Sequence, residues 1–319
     1  MSPRIGYFLS CEEYSPSQLI EQAKLAERAG FEALWISDHF HPWNDAQGNS
    51  AYVWGMIGAI SQACSLPITT AVTCPILRQH PAIVAQAAAT AKVLTNGRFT
   101  LGIGTGEALN EHVLGQRWPN TDVRLSMLGE AVDVMRQLWT GESVTHHGDH
   151  YTVEDARIYT LPDEPVKVYV SAFGPKALEV AARIGDGLCS TMPEADVVSS
   201  FKEKAGPGKP AQVGYKVSYS TDPERALDYA HELWFNEGIP GEAAQVLSSP
   251  KHFEQLAPLV TRDAVAGSTV HEADVDKHVA EFAKYADAGY DEVFIADMGP
   301  EYEGFFRFYE KDVLPRIRG

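Results

Sequence analysis

Positive charge is what this chain has least of. Against 43 aspartates and glutamates it carries 26 lysines and arginines, a formal net charge of −17. A chain so charged is repelled by phosphate backbones, so nucleic acid is set aside as a partner. Any anionic ligand must then be held by local devices such as glycine-rich turns, helix N-termini or a few basic side chains. Cysteine is also scarce. Cys11, Cys64, Cys74 and Cys189 are scattered, with no Cys-x-x-Cys pair and no Cys/His cluster at zinc spacing. Neither a disulfide framework nor a metal site is indicated. No run approaches roughly 20 apolar residues, the length that crosses a bilayer. The opening run Ile5-Gly6-Tyr7-Phe8-Leu9 is too short for a signal segment. No membrane is expected as a partner, and the cytoplasm is the expected location.

What is present is a regular alternation. With 319 residues, 45% of them hydrophobic, the chain has material for one large α/β barrel or two smaller domains. Short apolar runs at 5–9, 33–36, 68–72, 99–103, 166–170, 186–190, 212–218 and 292–296 read as buried strands, most of them followed by a helix-like segment. Ser15-Pro16 opens the first helix and Gly30 stops it. Further helices are expected around 51–63, 81–94 and 122–139. Eight βα units predict a single (β/α)8 TIM barrel over residues 1–319 rather than two domains. Two insertions interrupt it. Alternation from Val144 to Val153 around Gly148-Asp149 predicts a β-hairpin near 142–158. The long polar-helical span 222–269 predicts a helical insertion, before strand eight, that caps the mouth of a pocket.

In such a fold the polar residues just past each strand gather on one face. Two blocks stand out there, Ser37-Asp38-His39-Phe40-His41-Pro42-Trp43 and Gly104-Thr105-Gly106-Glu107-Ala108-Leu109-Asn110. His39 beside Asp38 is suited to accept a hydroxyl proton near neutral pH, the other reading being a histidine bonded within its own loop. His41 is a weaker candidate. Trp43, held by Pro42, is either a pocket wall or ordinary loop packing. Glu107 lies between small residues that let a flat ligand approach closely, and partial burial there would raise its pKa and suit it to general acid work. The alternative is a solvated loop carboxylate. Gly104-x-Gly106 fails as a nucleotide-binding fingerprint, because no third glycine opens a helix at the required spacing. The turn Phe173-Gly174-Pro175-Lys176, between a strand and a helix, either captures a phosphate on helix N-terminal amides, with Lys176 adding charge, or is a plain βα turn.

At these residues the chain resembles the luciferase-like superfamily of flavin and deazaflavin oxidoreductases, and within it the branch of coenzyme F420 (8-hydroxy-5-deazaflavin)-dependent glucose-6-phosphate dehydrogenases. The resemblance covers nearly the whole chain. It rests on Ser37-Asp-His-Phe-x-Pro-Trp43, Gly104-Thr-Gly-Glu-Ala-Leu-Asn110 and Met135-Arg-Gln-Leu-Trp139. It implies that Asp38 contacts the deazaflavin, His39 takes the substrate proton, Trp43 steadies the resulting charge and Glu107 protonates the reduced ring nitrogen. It further implies that Glu12 lies at the pocket mouth and that Ala71-Val72 is a non-proline cis peptide behind the ring. Thr105, Gly106 and Asn110 would then sit against the cofactor, with the 173–176 turn on its phosphate. A homodimer is expected from the same resemblance.

The chain departs from that branch where a sugar phosphate would be gripped. Ser190-Thr191-Met192-Pro193-Glu194 replaces a Thr-Ser-Gly-Lys stretch, and Gln255 and Ser268-Thr269 fall where the family is basic. Each lost charge-assisted bond is worth roughly 1.5–3 kcal/mol. The expected substrate is therefore a less charged alcohol or sugar, with Met192, Trp234 and Phe235 at an apolar end of the pocket. The same machinery reversed would reduce a carbonyl. The alternatives are a flavin mononucleotide monooxygenase and a cofactor-binding protein without catalysis.

Overall fold

The eight apolar runs become the parallel strands of a closed barrel in the computed structural model of the protein, which describes residues 2–206, 208–239 and 241–319. The strands are β1 Arg4–Leu9, β2 Ala33–Ile36, β3 Ile68–Thr70 and β4 Phe99–Ile103, then β7 Lys167–Ser171, β8 Gly187–Ser190, β9 Ala211–Val217 and β10 Glu292–Asp297. Each pairs with its neighbour in chain order, and β10 returns to β1 to close the sheet. The antiparallel hairpin, β5 Val144–His147 and β6 Thr152–Ala156, stands apart from the barrel. This is the (β/α)8 architecture, with β3 two residues shorter than its apolar run. The Ala71-Val72 peptide is cis, so the chain leaves the ladder at Thr70 and rejoins it at Thr73, bridged to Ile103.

The helices follow local chemistry. Pro16–Ala29 starts where Gln18 Oε1 accepts the Ser15 amide at 3.0 Å, and stops at Gly30, whose φ of 95° costs glycine nothing. Pro81–Leu94 and Pro175–Ile184 also open on a proline. The 222–269 span folds into Pro223–Trp234, Ala243–Val246, Pro250–Leu256 and Arg262–Ser268, with 3-10 turns at Phe235–Gly238 and Ala257–Leu259. No helix among the described residues is long and apolar enough to cross a membrane.

Two cores hold the barrel. Between sheet and helices lies a continuous apolar layer that includes Leu9, Leu34, Ile57, Val84, Leu101, Phe201 and Ile295. Inside the barrel, Phe8, Trp35, Tyr169 and Phe294 fill the lumen, with Trp35 stacked on Phe294 at a 4.7 Å ring separation. Each large side chain so buried contributes roughly 1.5–3 kcal/mol. Gly214 makes room for this stack, because a Cβ there would lie 2.4 Å from the Trp35 ring. Gln212, two residues back on the same strand face, accepts the Trp35 indole N–H at 2.8 Å. With the lumen filled from below, the cleft at the carboxyl ends of the strands opens above this packing. There a third cluster, Leu227, Leu233, Trp234, Phe235, Phe253 and Val265 among others, seats the helical insertion.

Candidate active site

A cleft of about 870 Å³, measured with its open mouth, lies at the carboxyl ends of the strands. Strand β1 sends up Phe8, and Ser10 and Glu12 follow just beyond its end. Ser37, Asp38, His39 and Trp43 come from beyond β2, and Ala71, Val72 and Cys74 from beyond β3. Gly106, Glu107, Asn110 and Glu111 follow β4, and Ser171 and Phe173 come from β7 and its turn. Trp35 of β2 with Cys189, Ser190, Thr191, Lys216 and Trp234 completes the lining. Polar loops meet there because period-2 burial fills the lumen below.

His39 is set by its neighbours. Its Nδ1 lies 3.1 Å from the His41 carbonyl, an acceptor only, so Nδ1 carries the hydrogen. That leaves Nε2 to take a proton. Glu12 Oε1 lies 3.3 Å from Nε2, and the Ser37 hydroxyl donates to Glu12 Oε2 at 2.7 Å. The carboxylate is thus placed to stabilise an imidazolium, and a serine fixes its orientation. Trp43 stands 5.0 Å from the His39 ring and 5.2 Å edge-on from Phe253 of the insertion, which makes it a wall between base and cap. His41 is employed differently, since its Nδ1–H donates to the Leu109 carbonyl at 3.0 Å and it is not among the lining residues.

Asp38 lines the cleft, yet both of its carboxylate oxygens are engaged. Arg78 donates to Oδ1 at 2.8 Å, and Gln79 and Thr73 donate to Oδ2 at 2.9 and 2.8 Å. Arg78 also reaches Glu111, through Nε to Oε1 at 3.3 Å and its backbone amide to Oε2 at 2.9 Å. One guanidinium thus bridges two buried carboxylates that line the cleft, leaving the trio one negative charge in excess when both are ionised. Burial raises the pKa of Glu111, and Arg78 pulls it the other way.

Glu107 is the residue before a single helical turn, Ala108–Glu111, that the sequence reading missed. Its carbonyl accepts the Asn110 and Glu111 amides, while its side chain lines the cleft with no hydrogen bond among the described residues. Asn110 ties the two sequence blocks together, since its Oδ1 accepts the Phe40 and His41 amides at 2.8 and 3.1 Å. Its Nδ2 is buried and has no hydrogen-bond partner among the described residues, in a side chain that lines the same cleft. A buried donor without a protein partner calls for a ligand or water acceptor.

Six expected residues lie outside the lining, and of these Phe235 is buried in the cluster that seats the insertion. Thr105, Gly174 and Pro175 are adjacent to it, and Phe173 alone of its turn reaches the cleft. Lys176 points away, with its ammonium on Asp122 at 2.7 Å and both side chains largely exposed. Met192 is turned outward, because its amide is bonded to Ser190 Oγ and its carbonyl accepts the Tyr290 hydroxyl. Thr191 takes its place in the lining. At the positions expected to have lost basic ligands, Gln255 is exposed and Thr269 donates its hydroxyl to the Lys216 carbonyl at 3.1 Å.

Sequence reasoning missed Lys216, the one lysine or arginine among the lining residues. It shares the inward face of β9 with Gln212 and Gly214, and an i, i+2, i+4 count across residues already known to be buried would have found it. It also missed Glu13, buried next to Glu12. Trp234 Nε1 donates to Glu13 Oε2 at 2.6 Å and the Tyr229 hydroxyl to Oε1 at 2.8 Å, which fastens the insertion to the β1 loop. Burial pushes the Glu13 pKa up to about 7, against the lowering effect of those two bonds.

Known proteins share both the sequence and this arrangement. The luciferase-like monooxygenase family matches residues 3–295. The F420-dependent glucose-6-phosphate dehydrogenase of Amycolatopsis mediterranei is 35% identical over 99% of this chain and 98% of its own length. That of Kribbella flavida is 36% identical over 100% and 99%. A solved F420-dependent secondary alcohol dehydrogenase, in complex with an F420-acetone adduct, superposes with a TM-score of 0.92 at 34% identity, covering 100% of both chains. With likeness of this extent in sequence and fold, the chain belongs to the luciferase-like family, in the branch of the F420-dependent dehydrogenases.

Proposed function

We propose that the chain, acting as one catalytic domain over residues 1–319, is a coenzyme F420-dependent dehydrogenase that oxidises an alcohol or sugar CH–OH group. The carrying observation is His39, whose Nδ1 is committed to a backbone carbonyl and whose Nε2 faces Glu12 in the same cleft as the unpaired Glu107. Relatives at 34–36% identity are named as F420-dependent dehydrogenases.

The residues present fit a deazaflavin. Asn110 Nδ2 is an open buried donor, and Ala71, Val72 and Gly106 present small groups and backbone to the cleft. These residues would hold the ring, with Asp38 anchoring Arg78, Gln79 and Thr73 behind it and Thr105 beside it. The turn Phe173-Gly174-Pro175-Lys176 would meet the phosphate. When bound, F420 supplies a carbon that accepts hydride. His39 Nε2 takes the hydroxyl proton, Glu12 stabilises the charge so formed, and Glu107 would pass a proton to the reduced ring nitrogen. Trp43, joined to Phe253, keeps water from the reacting side. Run backwards with reduced cofactor, the same groups reduce a carbonyl.

Glucose 6-phosphate does not suit this cleft. Glu12, Asp38, Glu107 and Glu111 all line it, and Lys216, its one lysine or arginine, is paired with Glu237 at 2.7 Å. A dianion placed there meets carboxylates and no unpaired cation. The expected kcat/KM for the sugar phosphate lies below that for a neutral alcohol. Turnover of the phosphate ester in preference to neutral alcohols would refute this part of the reading.

Two broader expectations belong here. All four cysteines are buried and unpaired, which supports the reducing cytoplasm as the location. Exposed Ile83, Val93 and Leu94 on Pro81–Leu94 support a homodimer through the outer helices.

A further inference from the structure

We propose that Lys216, Glu237 and the Trp234 indole form a subsite for a second hydroxyl, so that the preferred substrate is an uncharged diol or polyol rather than a simple alcohol. This rests on the dehydrogenase reading above and sharpens its substrate class.

Lys216 is the topmost inward residue of β9, and a lysine there is costly to desolvate unless its charge is used. Its Nζ is 2.7 Å from Glu237 Oε1 and 5.0 Å from the centre of the Trp234 ring. Of the three N–H bonds on that ammonium, the carboxylate takes one. Glu237 sits in the turn Phe235–Gly238, and its Oε1 also accepts the Asn236 side-chain amide at 3.2 Å, while Oε2 has no partner among the described residues. Lys216 and Trp234 line the cleft, and Glu237, part-exposed beside Lys216 though outside that lining, adds a spare acceptor to the spare donors. Trp234 is not a loose wall, because Glu13 holds its indole N–H.

A charged donor and a charged acceptor beside an aromatic face match the surface of a polyol. C–H groups lie on the ring, and one hydroxyl can accept from the ammonium while donating to the carboxylate. A phosphate would satisfy the lysine and be repelled by Glu237. A plain alcohol would leave the spare N–H bonds and Oε2 of this pair without a ligand partner. The pairing therefore favours a neutral ligand that carries a second hydroxyl.

The test is steady-state oxidation of 2,3-butanediol, 2-butanol, D-glucose and glucose 6-phosphate by the F420-loaded protein, with F420 affinity measured separately by titration. Wild-type protein is expected to give a KM for 2,3-butanediol at least about tenfold below that for 2-butanol. Lys216→Met and Glu237→Gln should each bring that KM ratio close to one, with a smaller change in kcat. A role confined to tethering the insertion would lower thermal stability and leave the ratio alone. Glu237 is partly exposed, so E237Q carries the test if K216M fails to fold. F420 binding with turnover of 2-butanol at an unaltered ratio in both variants overturns the subsite while the dehydrogenase reading stands. Protein that neither binds F420 nor oxidises any of these alcohols overturns both.

Discussion

Arg78 holds together the polar floor of the cleft, bridging Asp38 and Glu111 while almost wholly buried. Removing one partner of a buried ion pair typically costs about 3–5 kcal/mol, because the other charge is left without compensation. Arg78→Met should therefore lose stability of that order in urea unfolding, and a loss below about 1 kcal/mol would show the carboxylates to be satisfied otherwise. The candidate base sits above this floor. His39→Asn should cut kcat for alcohol oxidation by about 10²–10⁴ while F420 affinity stays within a few fold; an unchanged kcat would remove His39 from the chemistry. The candidate base and acid were legible in the sequence because histidine and glutamate at strand ends are few and chemically distinctive. Their supports were not. Thr73, Arg78 and Gln79 reach Asp38 from the loop beyond β3, and residue type says nothing about the path of that loop. Lys216 was hidden for another reason: a lysine in a strand ordinarily reads as an outward, solvated residue.

At the scale of elements, strands and helices were legible where apolar runs were long enough to show a period and where proline, serine or glycine marked an end. The hairpin announced itself through Gly148-Asp149, and Tyr151 beyond that turn anchors it by donating its hydroxyl to the Ile76 carbonyl at 3.0 Å. The four-residue helix Ala108–Glu111 is too short for periodicity and lay concealed in a glycine-rich motif. The insertion was visible as a polar helical span, but not its fastening to Glu13. That carboxyl has a pKa of about 7 in the folded chain against an ordinary 4.5, owing to burial. The folded state therefore binds more proton between pH 4.5 and 7. The stabilisation from this group is complete below pH 4.5 and is lost as pH rises through 7, a swing of at most roughly 3 kcal/mol. Glu13→Gln should flatten that fall relative to wild type when unfolding free energies are compared at pH 4.5 and 8. Parallel pH profiles for the two proteins would rule out the carboxyl as its source. The outer helix Pro81–Leu94 bears on association: sedimentation should give twice the chain mass, and Ile83→Glu should shift the equilibrium toward monomer. A wild-type monomer at micromolar concentration would end that reading.

On the scale of the whole molecule, the barrel followed from eight alternations of strand and helix, since parallel strands need crossovers and right-handed crossovers close the sheet. The ring order, from β1 through β4 and β7 to β10, is the sequence order once the hairpin is set aside. Charge balance was equally legible. A net charge of −17 leaves no general attraction for an anion, and the cleft repeats that balance locally with four carboxylates and one paired lysine. Family resemblance supplied the cofactor, while the departures from it carry the proposal of a substrate other than a phosphate ester. What the sequence left open was which part of the mouth recognises the far end of the substrate, because that depends on how the 223–268 helices fold back over β9. The most direct test of the central claim is a titration of the purified protein with oxidised F420 and, separately, with flavin mononucleotide, followed by alcohol addition while deazaflavin absorbance is monitored. Tight F420 binding with loss of that absorbance on a neutral alcohol is expected. Preference for flavin mononucleotide, or F420 binding with no bleaching by any alcohol, would contradict the account.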